Sequence, residues 1–181
     1  MSIKCSYRYF FPKYKDKMVK RDDCFRIKIA EEQVKLQPVS KEMIKEHIRN
    51  FLDDLSTELD YEIREVNLTK TPIKRGFYFD FVKKDGLKDK KDIVWMKFTK
   101  EEKGEDFLGV VATGNDINFN ANNASGKIIK SLGKNWNEDY VLIVLLKKMP
   151  SYLNRQLVES GIGNYLISKE VPILDYFSHN L

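Results

Sequence analysis

Histidine and cysteine are nearly missing from this chain. The only cysteines are Cys5 and Cys24, and the only histidines are His47 and His179. Structural zinc takes about four Cys or His ligands, often in close pairs. These four residues form no such pair, so no zinc site is expected. A single disulfide between two cysteines nineteen apart is not needed in a chain of this size, and free thiols are expected. Long apolar runs are missing too. The longest, "YVLIVLL" at 140–146, has the length of a buried strand and falls far short of the roughly 20 residues of a membrane span. The opening "MSIKCSYRYFFPKYK" has no apolar core of a secretory signal. A cytoplasmic protein with no membrane association is therefore expected.

Several catalytic and nucleotide-binding motifs are absent as well. A phosphate loop needs G-x-x-x-x-G-K-[ST]. "NNASGKII" has Gly126 and Lys127, but Ile128 where a hydroxyl residue belongs, and no glycine upstream at the right place. The dinucleotide pattern G-x-G-x-x-G fails at "GIGNYL" (161–166), which lacks the third glycine. There is no G-x-S-x-G elbow to present a serine. His179 is the one accessible histidine for Ser/His/Asp chemistry, and it stands two residues from the end of the sequence. A general base needs a position fixed by its surroundings.

Charge is plentiful and unevenly placed. Residues 1–104 hold 25 Lys and Arg against 19 Asp and Glu, a balance of +6, whereas residues 105–181 hold 7 against 8, a balance of −1. The basic residues are 25 lysines and 7 arginines. Lysine supplies a diffuse field for phosphate, and arginine the bidentate reading of bases. The segment 7–21 brings Arg8, Lys13, Lys15, Lys17, Lys20 and Arg21 together with Tyr7, Tyr9 and Tyr14, and 70–78 adds Lys74, Arg75 and Tyr78. Basic residues interleaved with aromatic ones suit nucleic acid. Asp16, Asp22 and Asp23 dilute the patch, and a solvated lysine-rich face explains the same composition.

Hydrophobic periodicity predicts the elements. "CSYRYFF" (5–11) and "CFRIKIA" (24–30) read as strands by near-alternation. The stretch 40–59 places Ile44, Ile48, Phe51, Leu52, Leu55 and Leu59 at helical spacing with Ser40 as N-cap. Strands are expected at 61–68, 76–82 and 93–99, the last two as a hairpin across Asp85-Gly86. "FLGVVAT" (107–113), a helix at 124–133 stopped by Gly133, "YVLIVLL", a helix at 150–169 and "VPILDYF" (171–177) complete the chain. Gly161 and Gly163 inside the last helix point to close packing or a kink. No repeat or linker divides the sequence. The expectation is a single α/β (or α+β) domain over 1–181. Its mixed sheet would join antiparallel N-terminal strands (1–104) to a parallel βαβαβ part (105–181), because continuous apolar strands alternating with helices suit a parallel sheet.

On that expectation "GNDINFNANNASG" (114–126) lies at the carboxyl end of a parallel strand, where open α/β sheets bind ligands. Asn115, Asp116, Asn118, Asn122 and Asn123 would line the site, with Arg155 approaching from 147–155 and Asp175 and His179 from the C-terminal segment. Asparagine also caps helices and makes turns, so the same loop is accounted for without a ligand. Asp116, Asp175 and His179 are the catalytic candidates. Asp80 beside Lys83 and Lys84, or Asp116 with Asp175, could serve a metal-dependent nuclease, but no compact carboxylate-x-lysine signature joins them and no metal ligands are assigned. The first functional expectation is a non-catalytic accessory protein that contacts nucleic acid or an acidic protein partner through its basic half. The second is a small enzyme or ligand-binding protein for a nucleotide-like or phosphorylated ligand at 114–126. The sequence identifies no cofactor.

Overall fold

The computed structural model describes residues 23–69, 93–100, 106–107, 109–112 and 124–175. Helix α1 (Asp23–Gln33) leads through β1 (Val39–Ser40) into helix α2 (Lys41–Leu55). Strands β2 (Asp60–Asn67), β3 (Ile93–Phe98), β4 (Asp106–Phe107) and β5 (Gly109–Ala112) precede helix α3 (Ala124–Ser131), strand β6 (Tyr140–Lys148) and helix α4 (Arg155–Ser168). Two sheets result: a pair β1-β4, and a four-stranded sheet in the order β2-β6-β3-β5.

Every strand pairing among the described residues is antiparallel. This overturns the parallel βαβαβ expectation. Strand β6 lies between β2 and β3, with Ile63 opposite Val144 and Val94 opposite the same residue on the other side. Its apolar run reflects a central strand covered on both faces, and such cover produces a continuous apolar sequence whatever the strand direction. Because β5 and β6 are both antiparallel to β3, they do point the same way, but β3 separates them. Residues 171–175 form no strand and make only an isolated bridge at Ile173.

The stretch 24–30 is a helix, not a strand. Ile27, Ala30 and Val34 share one apolar cluster, at spacings of three and four, while Ile29 and Gln33 are buried toward another side. Two buried stripes on one helix imitate alternation when read over seven residues. The expected helices over 40–59, 124–133 and 150–169 are present as α2, α3 and α4. Met43 N–H donates to the Ser40 hydroxyl at 3.3 Å, so Ser40 is the N-cap of α2. Gly133 takes a positive φ of 64° just past α3, which only glycine adopts without strain. The expected strands at 5–11 and 76–82, and with them the hairpin, lie outside the described residues.

One face of the large sheet carries Val94, Met96 and Phe98 with Tyr140, Leu142, Val144 and Leu146. Ile44, Ile48, Phe51 and Leu52 of α2, with Val158, Ile162 and Tyr165 of α4, cover it. On the other face Ile93, Trp95, Val141, Ile143 and Leu145 are also buried. A second cluster joins α1 to α3 through Ala30, Ile128, Ile129, Trp136 and Leu174. Edge strand β2 is half-exposed and laced with charge: Lys147 pairs with Glu62 at 2.7 Å, and Lys45 of α2 with Glu65 at 2.7 Å. Charged edges of this kind discourage pairing with other chains.

Helices α2 and α4 pack closely because Gly161 has no side chain. A Cβ there would overlap the Phe51 ring, with Cε1 at 3.2 Å and Cε2 at 3.3 Å, whereas one at Gly163 would meet nothing within 4 Å. Phe51 is buried against Tyr165, ring centres 5.5 Å apart. Gly161→Ala is therefore expected to destabilise the fold by about 1–3 kcal/mol through overpacking. Gly163→Ala should stabilise it by up to about 1 kcal/mol through helix propensity. Chemical denaturation of the two variants checks the opposite signs.

Candidate functional site

The end of β3 holds the least expected residue of the core. Alternation along β3 puts Lys97 on the same face as Ile93 and Trp95, and it is only 5% exposed. Just beyond, Thr99 bridges Trp136, Asn137 N–H donates to Phe98 O at 2.8 Å, and Lys100 N–H donates to Asn135 O at 2.8 Å. These bonds lay segment 135–137 along the end of β3. They bring the Trp136 ring beneath Lys97, whose Nζ lies 4.3 Å from the ring centroid. A cation over an indole face is favourable, the more so when shielded from water.

Two further segments reach the same place. Ser125, in the first turn of α3, donates its hydroxyl to Asp175 Oδ2 in a very short hydrogen bond. Asp175 is 1% exposed. The chain is steered there from α4, just past whose end Glu170 takes a positive φ of 59° and Val171 N–H bonds back to Leu166 O at 3.0 Å. This is the left-handed C-cap geometry that turns a chain sharply away from a helix. Ile173 N–H then donates to Gln33 Oε1 of α1 at 3.3 Å. Strand β3, α1, α3, segment 135–137 and segment 171–175 thus enclose a lysine, a carboxylate and a hydroxyl.

Burial pushes the Lys97 ammonium down to about 8, and the Asp175 charge pulls it partly back. Desolvation penalises the charged form, and a nearby opposite charge favours it. The result is an amine that is partly neutral near physiological pH, held in the field of a buried carboxylate. Lysines in such surroundings serve as nucleophiles and bases. The same arrangement also ties the C-terminal segment to β3 and α3.

Beside this cluster α3 and residues 133–138 border an open groove of about 470 Å³. Gly126, Lys130, Gly133, Lys134, Trp136 and Glu138 line it. Trp136 belongs to both features: it lines the groove and carries Lys97 over its ring.

Of the residues expected from sequence, Asp175 lies in this cluster. Arg155 stands elsewhere, at the start of α4, where Nη1 donates to Glu159 Oε2 at 3.3 Å. Asn115, Asp116, Asn118, Asn122, Asn123 and His179 lie outside the described residues. So do the basic residues Arg8, Lys13, Lys15, Lys17, Lys20, Arg21, Lys74 and Arg75. The parallel-sheet edge that was to unite the ligand residues does not exist in the described sheet. Sequence reasoning passed over Lys97 and Trp136. The signal for Lys97 was present, as a lone cation at an inward position of the apolar run "IVWMKF". Among the described residues no group of three or more His, Cys, Asp or Glu could hold a metal ion, and no helix is long and apolar enough to cross a membrane. No protein-family model, curated protein or solved structure matches the chain.

The lowered Lys97 pKa has a consequence for stability. Between pH 8 and 10.5 the folded lysine has lost its proton and the unfolded one has kept it. The unfolded state binds more protons there, so stability rises with pH across this window. Relative to Lys97→Met, the native chain should gain up to about 3 kcal/mol from pH 8 to 10.5. Urea unfolding of both proteins at several pH values checks this, and parallel curves would refute a lowered pKa.

Proposed function

We propose that this protein binds a small phosphorylated ligand in the groove between α3 and residues 133–138. One observation carries the reading: Trp136 is shared between a groove bordered by Lys130 and Lys134 and a buried group of Lys97, Asp175 and Ser125. A concave site with an aromatic wall and a few convergent polar groups is the usual form of a small-molecule site. Perturbed titratable groups tend to gather at such sites. Two lysines against Glu138 leave the rim net positive, which favours an anion. The ligand's phosphate would sit between Lys130 and Lys134, and its remainder would lie against the indole.

The uneven charge of the sequence supports a second reading, contact with nucleic acid or an acidic partner through the basic N-terminal half. It invokes different residues and a different size of ligand, so one set of titrations separates the two.

Pyrophosphate and nucleoside phosphates, titrated while tryptophan fluorescence is followed, should give saturable binding. Lys130→Ala with Lys134→Ala should weaken it at least about tenfold, since charged hydrogen bonds contribute about 1.5–3 kcal/mol each. An unchanged affinity in the double variant would refute the groove. Titration with single- and double-stranded DNA and RNA at about 50 and 200 mM salt tests the second reading. Salt-sensitive binding lost on neutralising Lys13, Lys15, Lys17 and Arg21 would favour it, and no binding at either salt would remove it.

A further inference from the structure

We propose that Lys97 is a reactive amine whose Nζ condenses with the carbonyl carbon of a phosphorylated aldehyde or ketone held in the groove, forming an imine. The inference rests on the groove reading and adds the class of ligand. Three observations support it. Lys97 Nζ stands over the Trp136 ring, the same side chain that lines the groove. The amine is buried and feels the charge of a buried carboxylate, Asp175, which accepts the Ser125 hydroxyl. The neutral fraction of this amine near pH 7 exceeds that of an exposed lysine on the order of a hundredfold, because burial lowers its pKa to about 8.

The chemistry balances with what is present. The neutral amine, its ammonium proton released to solvent, attacks the carbonyl carbon with its lone pair, and one nitrogen proton passes to the carbonyl oxygen, which becomes the hydroxyl of a carbinolamine. The nitrogen's remaining proton and that hydroxyl leave as one water, and the C=N bond forms. No oxidant, reductant or second substrate is needed. An acyl group transferred to the same amine would give a far less reversible amide, whereas an imine hydrolyses readily, which suits repeated turnover or release. The dry surroundings favour the product, since condensation expels water and the buried amine over the Trp136 ring is shielded from it. The indole separates groove from amine, and a shift of Trp136 admits the carbonyl.

Pyridoxal 5′-phosphate, a phosphorylated aldehyde, serves as the probe with the full chain. It is mixed at substoichiometric concentration, reduced with borohydride, and the adducts are mapped by peptide mass spectrometry. The expected result is reduced adduct at Lys97 at least tenfold above the average of the exposed lysines, which act as internal controls. Adduct spread evenly over exposed lysines, or absent from Lys97, overturns the proposal, and this map on the native chain needs no variant. Trp136→Ala should speed labelling of Lys97 by removing the partition, and unchanged or slower labelling would count against the shared wall. Lys130→Ala with Lys134→Ala should slow labelling by the phosphorylated aldehyde about tenfold but leave labelling by unphosphorylated glycolaldehyde unchanged. Pyrophosphate binding without adduct at Lys97 leaves the groove standing and removes the imine. Adduct at Lys97 without pyrophosphate binding does the reverse.

Discussion

The architecture depends on the pairing of β6 along both of its edges. Its backbone bonds β2 on one side and β3 on the other, and its side chains are buried on both faces over Tyr140–Leu146. A strand so placed has no polar face to spare, which is why its sequence is apolar without alternation. The helices follow from it. Tyr140, Leu142, Val144 and Leu146 offer one apolar surface to α2 and α4, and that surface in turn requires the close approach at Gly161. The site depends on the same strand indirectly, since β3 is held against β6 over Ile93–Met96 and carries Lys97 just beyond that pairing.

Much of this was legible where local chemistry decides. Ser40 followed by a 3.6-residue apolar stripe specifies a capped amphipathic helix, and α2 is that helix. Gly133 marks the end of α3 because a positive φ is needed there. Strand direction was not legible. An apolar run reports burial on two faces, and the partner that decides parallel or antiparallel lies some 80 residues away in β2. Helix α1 was misread because Ile27, Ala30 and Val34 serve one cluster while Ile29 serves another.

The site was legible in part, and for different reasons. Asp175 was expected at the end of a C-terminal strand reaching a ligand site, and the structure places it in the buried cluster, although on an irregular segment and not at a strand end. Lys97 was hidden by the habit of reading lysine as surface, even inside "IVWMKF". Trp136 gave no sign of its position, because only the bridge to Thr99 and the bonds to Phe98 and Lys100 bring it there. Convergence of five segments on one amine is a tertiary fact with no local signature. Half-buried Arg155 pairs with buried Glu159 within one helix at a spacing of four, and pairs of that spacing follow from helix geometry alone.

The order β2-β6-β3-β5 also bears on how the chain reaches its fold. Of the four described strands of this sheet the central β6 is the last to be synthesised, so a growing chain holds β2 and β3 apart until residue 148 has emerged. Until then β2 lacks its neighbour among the described strands, and α2 lacks most of the surface it covers. Assembly is thus a late insertion of one strand between two waiting edges, and contacts of such long sequence separation slow folding. The glutamates, arginine and tyrosine along β2 keep that waiting edge polar, which protects the nascent chain from pairing with its neighbours during the interval.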